Sequence, residues 1–221
     1  MTGRLVVITG TGTEIGKTHV TEAVLLASKN AGLRAVGLKP VESGVGEGDS
    51  DAARLQRAST FHVKPFGVAL RAPVSPHRAA RAEGVTLPLD RLAAEVHATL
   101  AHADLVFVEL PGGLFTPLAD ATVNADFAAR LGPRVLLLVA PDRLGVLHDV
   151  LATTRAAEGG SLRVHGIVLV TPETPDASTG TNAQDLGDYS SIPVLATIPR
   201  AAAPALATDP SVALILAAIR R

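Results

Sequence analysis

Apolar and polar positions follow two rhythms along this chain. Short runs that are apolar almost throughout, at Leu5–Thr9, Ala35–Leu38, Leu105–Glu109, Arg134–Val139, His165–Val170 and Val194–Ile198, are strand candidates. Several are continuous and rich in valine and leucine, the character of strands covered on both faces of a parallel sheet. Between them apolar residues recur at helical spacing, over Lys17–Ala31, Ser50–Ala58, Leu89–Ala103, Asp120–Leu131, Leu144–Glu158 and Ser211–Arg220. The alternation predicts a doubly wound α/β fold, a mainly parallel sheet flanked by helices, as one domain over residues 1–221. Two segments break the rhythm: Glu42–Asp49 with three glycines, and Thr171–Gly187, rich in Thr, Pro, Asp and Gly, which reads as a surface loop.

In such sheets ligands gather at the C-terminal ends of the strands. The polar candidates fall there: Gly10–Thr18 after the first strand, Lys39–Ser43 after the second and Glu109–Gly113 after the third. The first segment reads Gly10-Thr11-Gly12-Thr13-Glu14-Ile15-Gly16-Lys17-Thr18 and leads into a helix. Strand, glycine-rich turn, Gly-Lys-Thr and helix is the layout of a phosphate-binding loop. Glycines let several N–H groups face one anion, and the helix N-terminus adds partial positive charge. Lys17 is expected to reach the β- and γ-phosphates and the Thr18 hydroxyl to hold Mg²⁺. The usual spacing puts a glycine at position 11. Here that residue is Thr11 and the glycine stands one place earlier, with five residues between Gly10 and Gly16.

Glu109 ends its apolar run, where a carboxylate beside a phosphate loop can hold Mg²⁺ directly or through water. Lys39-Pro40-Val41-Glu42-Ser43-Gly44 presents Lys39 and Ser43 to the same pocket, with Pro40 and Gly44 shaping the turn. In Asp49-Ser50-Asp51 one acid can serve as a helix N-cap, and Asp51 is the candidate second metal carboxylate. Pro73-Val74-Ser75-Pro76-His77 is a rigid polar turn, in which His77 can cap a helix or pack locally.

Composition narrows the classes. With 221 residues, 47% of them hydrophobic, the chain can bury a sizeable core. A net charge of −1 gives no sequence-wide basic field for nucleic acid or an anionic membrane. Having no cysteine, it can form neither disulfides nor thiolate metal sites nor a cysteine nucleophile, and the histidines lack zinc-ligand spacing. No secretory signal pattern precedes the first strand, and no apolar run is long enough to span a bilayer, so a soluble cytoplasmic protein is expected. Only four of the 20 basic residues are lysines, and two of them, Lys17 and Lys39, fall in the candidate site.

Taken together, the phosphate loop, Lys39–Gly44, Ser50-Asp51-Ala52, Pro73–His77 and Gly112-Gly113-Leu114-Phe115-Thr116-Pro117-Leu118 resemble dethiobiotin synthetases, in family order and over nearly the whole chain. The resemblance implies a fold of the P-loop NTPase type, a homodimer, and ATP and Mg²⁺ as cofactors. It implies this reaction: 7,8-diaminononanoate, CO₂ and ATP give dethiobiotin, ADP and phosphate. One amine captures CO₂ as a carbamate, the carbamate attacks the γ-phosphate, and the second amine closes the cyclic urea.

By the same resemblance, residues Gly12, Thr13, Glu14, Ile15, Gly16, Lys17, Thr18 and His19 bind the nucleotide. Thr18, Asp51 and Glu109 arrange Mg²⁺, and Lys39, Lys17 and Thr13 serve catalysis. Ser43, Lys39, Gly112, Gly113 and Leu147 contact the substrate. Its far carboxylate is expected at a helix N-terminus in the Leu144–His148 region, of this chain or of the partner subunit. Two departures stand out. The family's Glu-Gly-Ala-Gly-Gly is here Glu109-Leu110-Pro111-Gly112-Gly113, a stiffer turn, and no adenine-reading asparagine stands in Gly166–Pro172. Base selectivity is therefore expected to be loose or supplied elsewhere. The alternative is a partitioning-type switch ATPase acting on a protein or DNA partner. Such ATPases usually carry an additional lysine early in the loop, where this chain has Thr11-Gly12-Thr13.

Overall fold

The computed structural model describes residues 3–46, 48–64, 66–160 and 162–221. Among the described residues ten strands follow in chain order: β1 (Arg4–Gly10), β2 (Ala35–Leu38), β3 (Val41–Ser43), β4 (Val68–Leu70), β5 (Leu105–Glu109), β6 (Pro117–Ala119), β7 (Thr122–Val123), β8 (Val135–Pro141), β9 (Gly166–Val170) and β10 (Val194–Ile198). The helices are α1 (Lys17–Asn30), α2 (Asp51–Ala58), α3 (Pro76–Ala82), α4 (Leu89–Thr99), α5 (Asn124–Leu131), α6 (Val146–Gly159), α7 (Asn182–Tyr189), α8 (Ala203–Leu206) and α9 (Pro210–Arg220).

Six strands form one parallel sheet in the order β10-β9-β8-β1-β5-β2. Side chains alternate across it. Leu5 and Val7 of β1 join one buried apolar layer, Val6 and Ile8 the other. Helices α1, α2, α8 and α9 pack together over one face, and α4–α5 and α6–α7 contact each other in pairs over the opposite one. Burial on both faces accounts for the unbroken apolar runs of β1, β5 and β8. Because β1 lies between β5 and β8, the chain leaves the sheet at its C-terminal edge in opposite directions, opening a crevice beside β1.

The strand candidates agree with the six sheet strands to within about two residues. Several helix bounds need correction. The stretch Asp120–Leu131 is helical only from Asn124, because Pro117–Ala119 and Thr122–Val123 pair as a hairpin whose turn holds Ala121 at φ 52°. The Asp126 carboxylate then accepts from Val123 N–H and fixes the helix start. Over Leu89–Ala103 the α-helix stops at Thr99 and a 3₁₀ turn follows over Leu100–His102; the Thr99 hydroxyl bonds back to Glu95 C=O. Helix α6 begins at Val146 rather than Leu144, since Gly145 is left-handed. The segment Thr171–Gly187 is a loop only as far as Thr181, and α7 begins at Asn182. Pro76–Ala82 and Ala203–Leu206, short helices with proline in the first turn, have too few residues to show a period.

Candidate active site

The phosphate loop leaves β1 at Gly10 and is pinned from both sides. Thr11 N–H bonds to Val139 C=O of β8, and Leu114 N–H bonds to Gly10 C=O. Gly16 sits at φ 98° with Val170 packed where a Cβ would be, so only glycine fits here. Glu14 also has positive φ, at 57°. The first turn of α1 has neither an acidic residue nor a side-chain cap. Its N–H groups are thus left for an anion. Lys17 folds back over the loop, its Nζ donating to Gly12 C=O at 2.7 Å. Burial lowers its pKa to about 8, the charge of Glu109 opposing that fall.

Glu109, fully buried at the end of β5, organises the floor. Its Oε1 accepts from Thr18 Oγ at 2.7 Å and from Lys39 Nζ at 2.5 Å, and its Oε2 from Thr21 Oγ at 2.8 Å. Lys39 also donates to Asp51 at 2.9 Å. Burial alone would lower the Lys39 pKa, yet the two carboxylates outweigh it and hold the ammonium above its usual range. Asp51 is desolvated too, but the Lys39 charge and the Thr18 hydroxyl keep its carboxyl below the usual value. Ser50, not an acid, caps α2. Glu42 reaches across to accept from Asp51 N–H and Ala52 N–H at 2.7 and 3.1 Å, which anchors Asp51.

These groups line a cleft of about 1150 Å³. Thr13 to His19 form one wall, Lys39, Ser43 and Asp51 another, and Glu109 and Gly112 the floor. Val170, Arg200 and Ala201 also line it, and no asparagine is among the described lining residues. His19 is half-buried, its Nε2 enclosed without a partner among the described residues. Gly12 and Gly113 lie behind the wall: a Cβ on Gly113 would meet Thr11 O and Gly10 O at 3.1 and 3.2 Å. The Leu110-Pro111 turn is held by buried Asn124, which donates from Nδ2 to Pro111 C=O and Gly113 C=O. Pro73–Pro76 closes one side, and His77 packs locally, its Nδ1 3.1 Å from Ser75 Oγ. Leu147, at the start of α6, is half-buried against the core and is not part of this cleft.

Sequence reasoning passed over Thr21, Glu42, Arg54 and Asn124. Thr21 was legible as the residue one helical turn beyond Thr18, on the same face. Glu42 lies within the Lys39 segment itself. Arg54 pairs with Glu22 and approaches Asp51 at 3.7 Å, and nothing local in the sequence marks it.

A family profile described as an AAA domain matches residues 4–204. The ATP-dependent dethiobiotin synthetase BioD of Anaeromyxobacter dehalogenans (strain 2CP-C) is 40% identical over 198 residues, covering 87% of this chain and 88% of that protein. The chain belongs to the ATP-dependent dethiobiotin synthetase family. Another family member, from Rhodopirellula baltica, is 35% identical over 219 residues, with 89% of this chain and 84% of the relative covered. Among solved structures, the septum site-determining protein MinD of Pyrococcus horikoshii superposes with a TM-score of 0.62 over 98% of this chain and 94% of that one. At 15% identity that likeness is one of fold.

Proposed function

We infer that this protein is an ATP-dependent dethiobiotin synthetase, converting 7,8-diaminononanoate, CO₂ and ATP to dethiobiotin, ADP and phosphate. The observation that carries the reading is Lys39, a buried ammonium held between two carboxylates within the same cleft as the phosphate loop. Phosphoryl transfer needs positioning and charge neutralisation more than covalent chemistry. The Gly12–His19 loop and Lys17 take the nucleotide phosphates. Lys17 donates to Gly12 C=O, a neutral partner that a phosphate readily replaces.

The donor set suits Mg²⁺: the Thr18 hydroxyl and the carboxylates of Asp51 and Glu109 are hard oxygens linked by one hydrogen-bonded network through Lys39. Bound there, Mg²⁺ would offset phosphate charge. Lys39 then turns from Glu109 toward the carbamate oxygen and the γ-phosphate, and stabilises both as the P–O bond to ADP breaks. The second amine attacks the carbonyl carbon, phosphate leaves, and the urea ring closes. Thr13, Ser43 and Gly112, which line the cleft, position the diamine, and Gly113 holds the turn behind them.

In this reading a second copy supplies the α6 N-terminus for the far carboxylate, in a homodimer; the position of Leu147 outside this chain's cleft supports it. Sedimentation tests that dimer, and a monomer that retains full activity would exclude it. Among the described residues no helix is long and apolar enough to cross a membrane. The proposed setting is the cytoplasm, and the net charge of −1 supports small molecules rather than nucleic acid as partners. The deciding experiment is phosphate release from Mg-ATP with and without 7,8-diaminononanoate and bicarbonate, the product identified by mass. Diamine-dependent release with the mass of the cyclic urea is expected. Diamine-independent hydrolysis would overturn the reading.

A further inference from the structure

A second cleft, of about 370 Å³, opens at the N-terminal ends of the sheet strands. It lies the length of β1, roughly 20 Å, from the phosphate loop. Four arginines line it: Arg4 on β1, Arg134 just before β8, Arg163 before β9 and Arg221 after α9. His165 is the fifth polar group, and no acidic residue is among the described residues lining it. The chain as a whole has 21 acids to 20 bases, so this concentration of one sign is local. None of the four guanidiniums is within ion-pair distance of a described carboxylate. Arg4 donates to Ile219 C=O near the end of α9, which fixes one fork at the cleft. Apolar side chains of Val135, Leu137 and Leu195 complete the walls.

Like charges facing one another across a concavity cost free energy unless an anion sits among them. Planar guanidinium forks match phosphoryl oxygens two at a time. The cleft is concave and near the lower limit of small-molecule sites, which suits a compact ligand better than an extended backbone. We propose that this cleft is a second anion site, taking a small molecule that carries two or more phosphoryl groups. His165 is a built-in reporter. Its Nδ1 accepts from Leu136 N–H at 3.0 Å, which leaves Nε2 as the N–H donor. Burial first, and then the charges of Arg163 and Arg134, lower its pKa. An anion in the cleft offsets those charges and moves it back toward about 6.5.

The experiment is NMR titration of the histidine rings of the intact protein with inorganic pyrophosphate. His19, beside the phosphate loop, and His165 resolve the two sites in one spectrum. We expect a saturable shift of His165 and a rise in its pKa. Arg134→Gln with Arg163→Gln should weaken binding at His165 by about tenfold or more while the His19 response persists. Both arginines are exposed, so folding should be retained, and Arg163→Gln alone serves if the double variant is unstable. The proposal fails if only His19 responds, or if potassium chloride at equal ionic strength moves His165 as far. It also fails if an oligonucleotide or phosphatidylglycerol vesicles occupy the cleft and pyrophosphate cannot displace them.

Discussion

Two lysines at this site are held in opposite ways, and their behaviour should differ accordingly. Lys17 is desolvated with a pKa of about 8, so part of its population is neutral above that pH. A phosphate restores the cation. Nucleotide binding at pH 8.5 should therefore take up most of one proton, and at pH 6.5 none through this group. Calorimetry of ADP binding in buffers of different ionisation enthalpy measures that uptake; an enthalpy independent of buffer at pH 8.5 would contradict it. Lys17→Ala should cut turnover by about two to three orders of magnitude without unfolding the protein. Lys39 is the converse case. Lys39→Ala should lower kcat far more than ATP affinity, because its charge matters most as the P–O bond breaks. It also strips the fully buried Glu109 of its cation, so unfolding in urea should show a loss of about 3 kcal/mol. Unchanged kcat with weakened ATP binding would refute the catalytic role. The sequence showed Lys17, Thr18, Lys39, Asp51 and Glu109 because each stands at a strand end or a helix start. It did not show that Lys39 bridges the two acids, since that geometry depends on α2 and β5 meeting across 58 residues of chain (Asp51 to Glu109).

Elements rather than single groups decide how firmly the cleft is framed. The Gly112–Leu114 turn leans on the backbone of the phosphate loop, and Gly113→Ala would press a methyl against Thr11 and Gly10. A destabilisation of about 1–3 kcal/mol and a reduced kcat/KM are expected, and steady-state kinetics with thermal melting would register them. Outside the cleft lining, buried Asp142 accepts from Asn182 Nδ2 and Gly180 N–H and ties the 176–182 loop to the end of β8. Asp142→Ala should cost about 1–3 kcal/mol and speed proteolytic cleavage within 173–181. An unaltered cleavage rate would show that the loop is held by other contacts. Strands were legible to within about two residues because continuous apolar runs have few alternatives. The β6–β7 hairpin was not, for its strands are only three and two residues long and its turn rests on a left-handed alanine. Helix α3 escaped notice for the same reason of length.

On the scale of the whole molecule, ligand and fold should be linked. ADP at a hundredfold excess over its Kd adds about 2.7 kcal/mol, or roughly 5–10 °C in Tm for a chain of this size. Differential scanning measures it, and Lys17→Ala should lose most of the shift. The parallel, doubly wound architecture was readable from alternation alone. The strand order was not, because nothing in an apolar run says which neighbour it will take. That order has a consequence for how the protein is made. Strand β1 leaves the ribosome before either of its two partners, which lie roughly one hundred and one hundred and thirty residues downstream. Until β8 emerges, the phosphate loop has no frame on that side, since Thr11 awaits Val139. Non-local pairing of this kind is slow to close. A nascent chain arrested before β8 should be unable to retain ADP, and the capacity to bind nucleotide should arrive abruptly, late in synthesis.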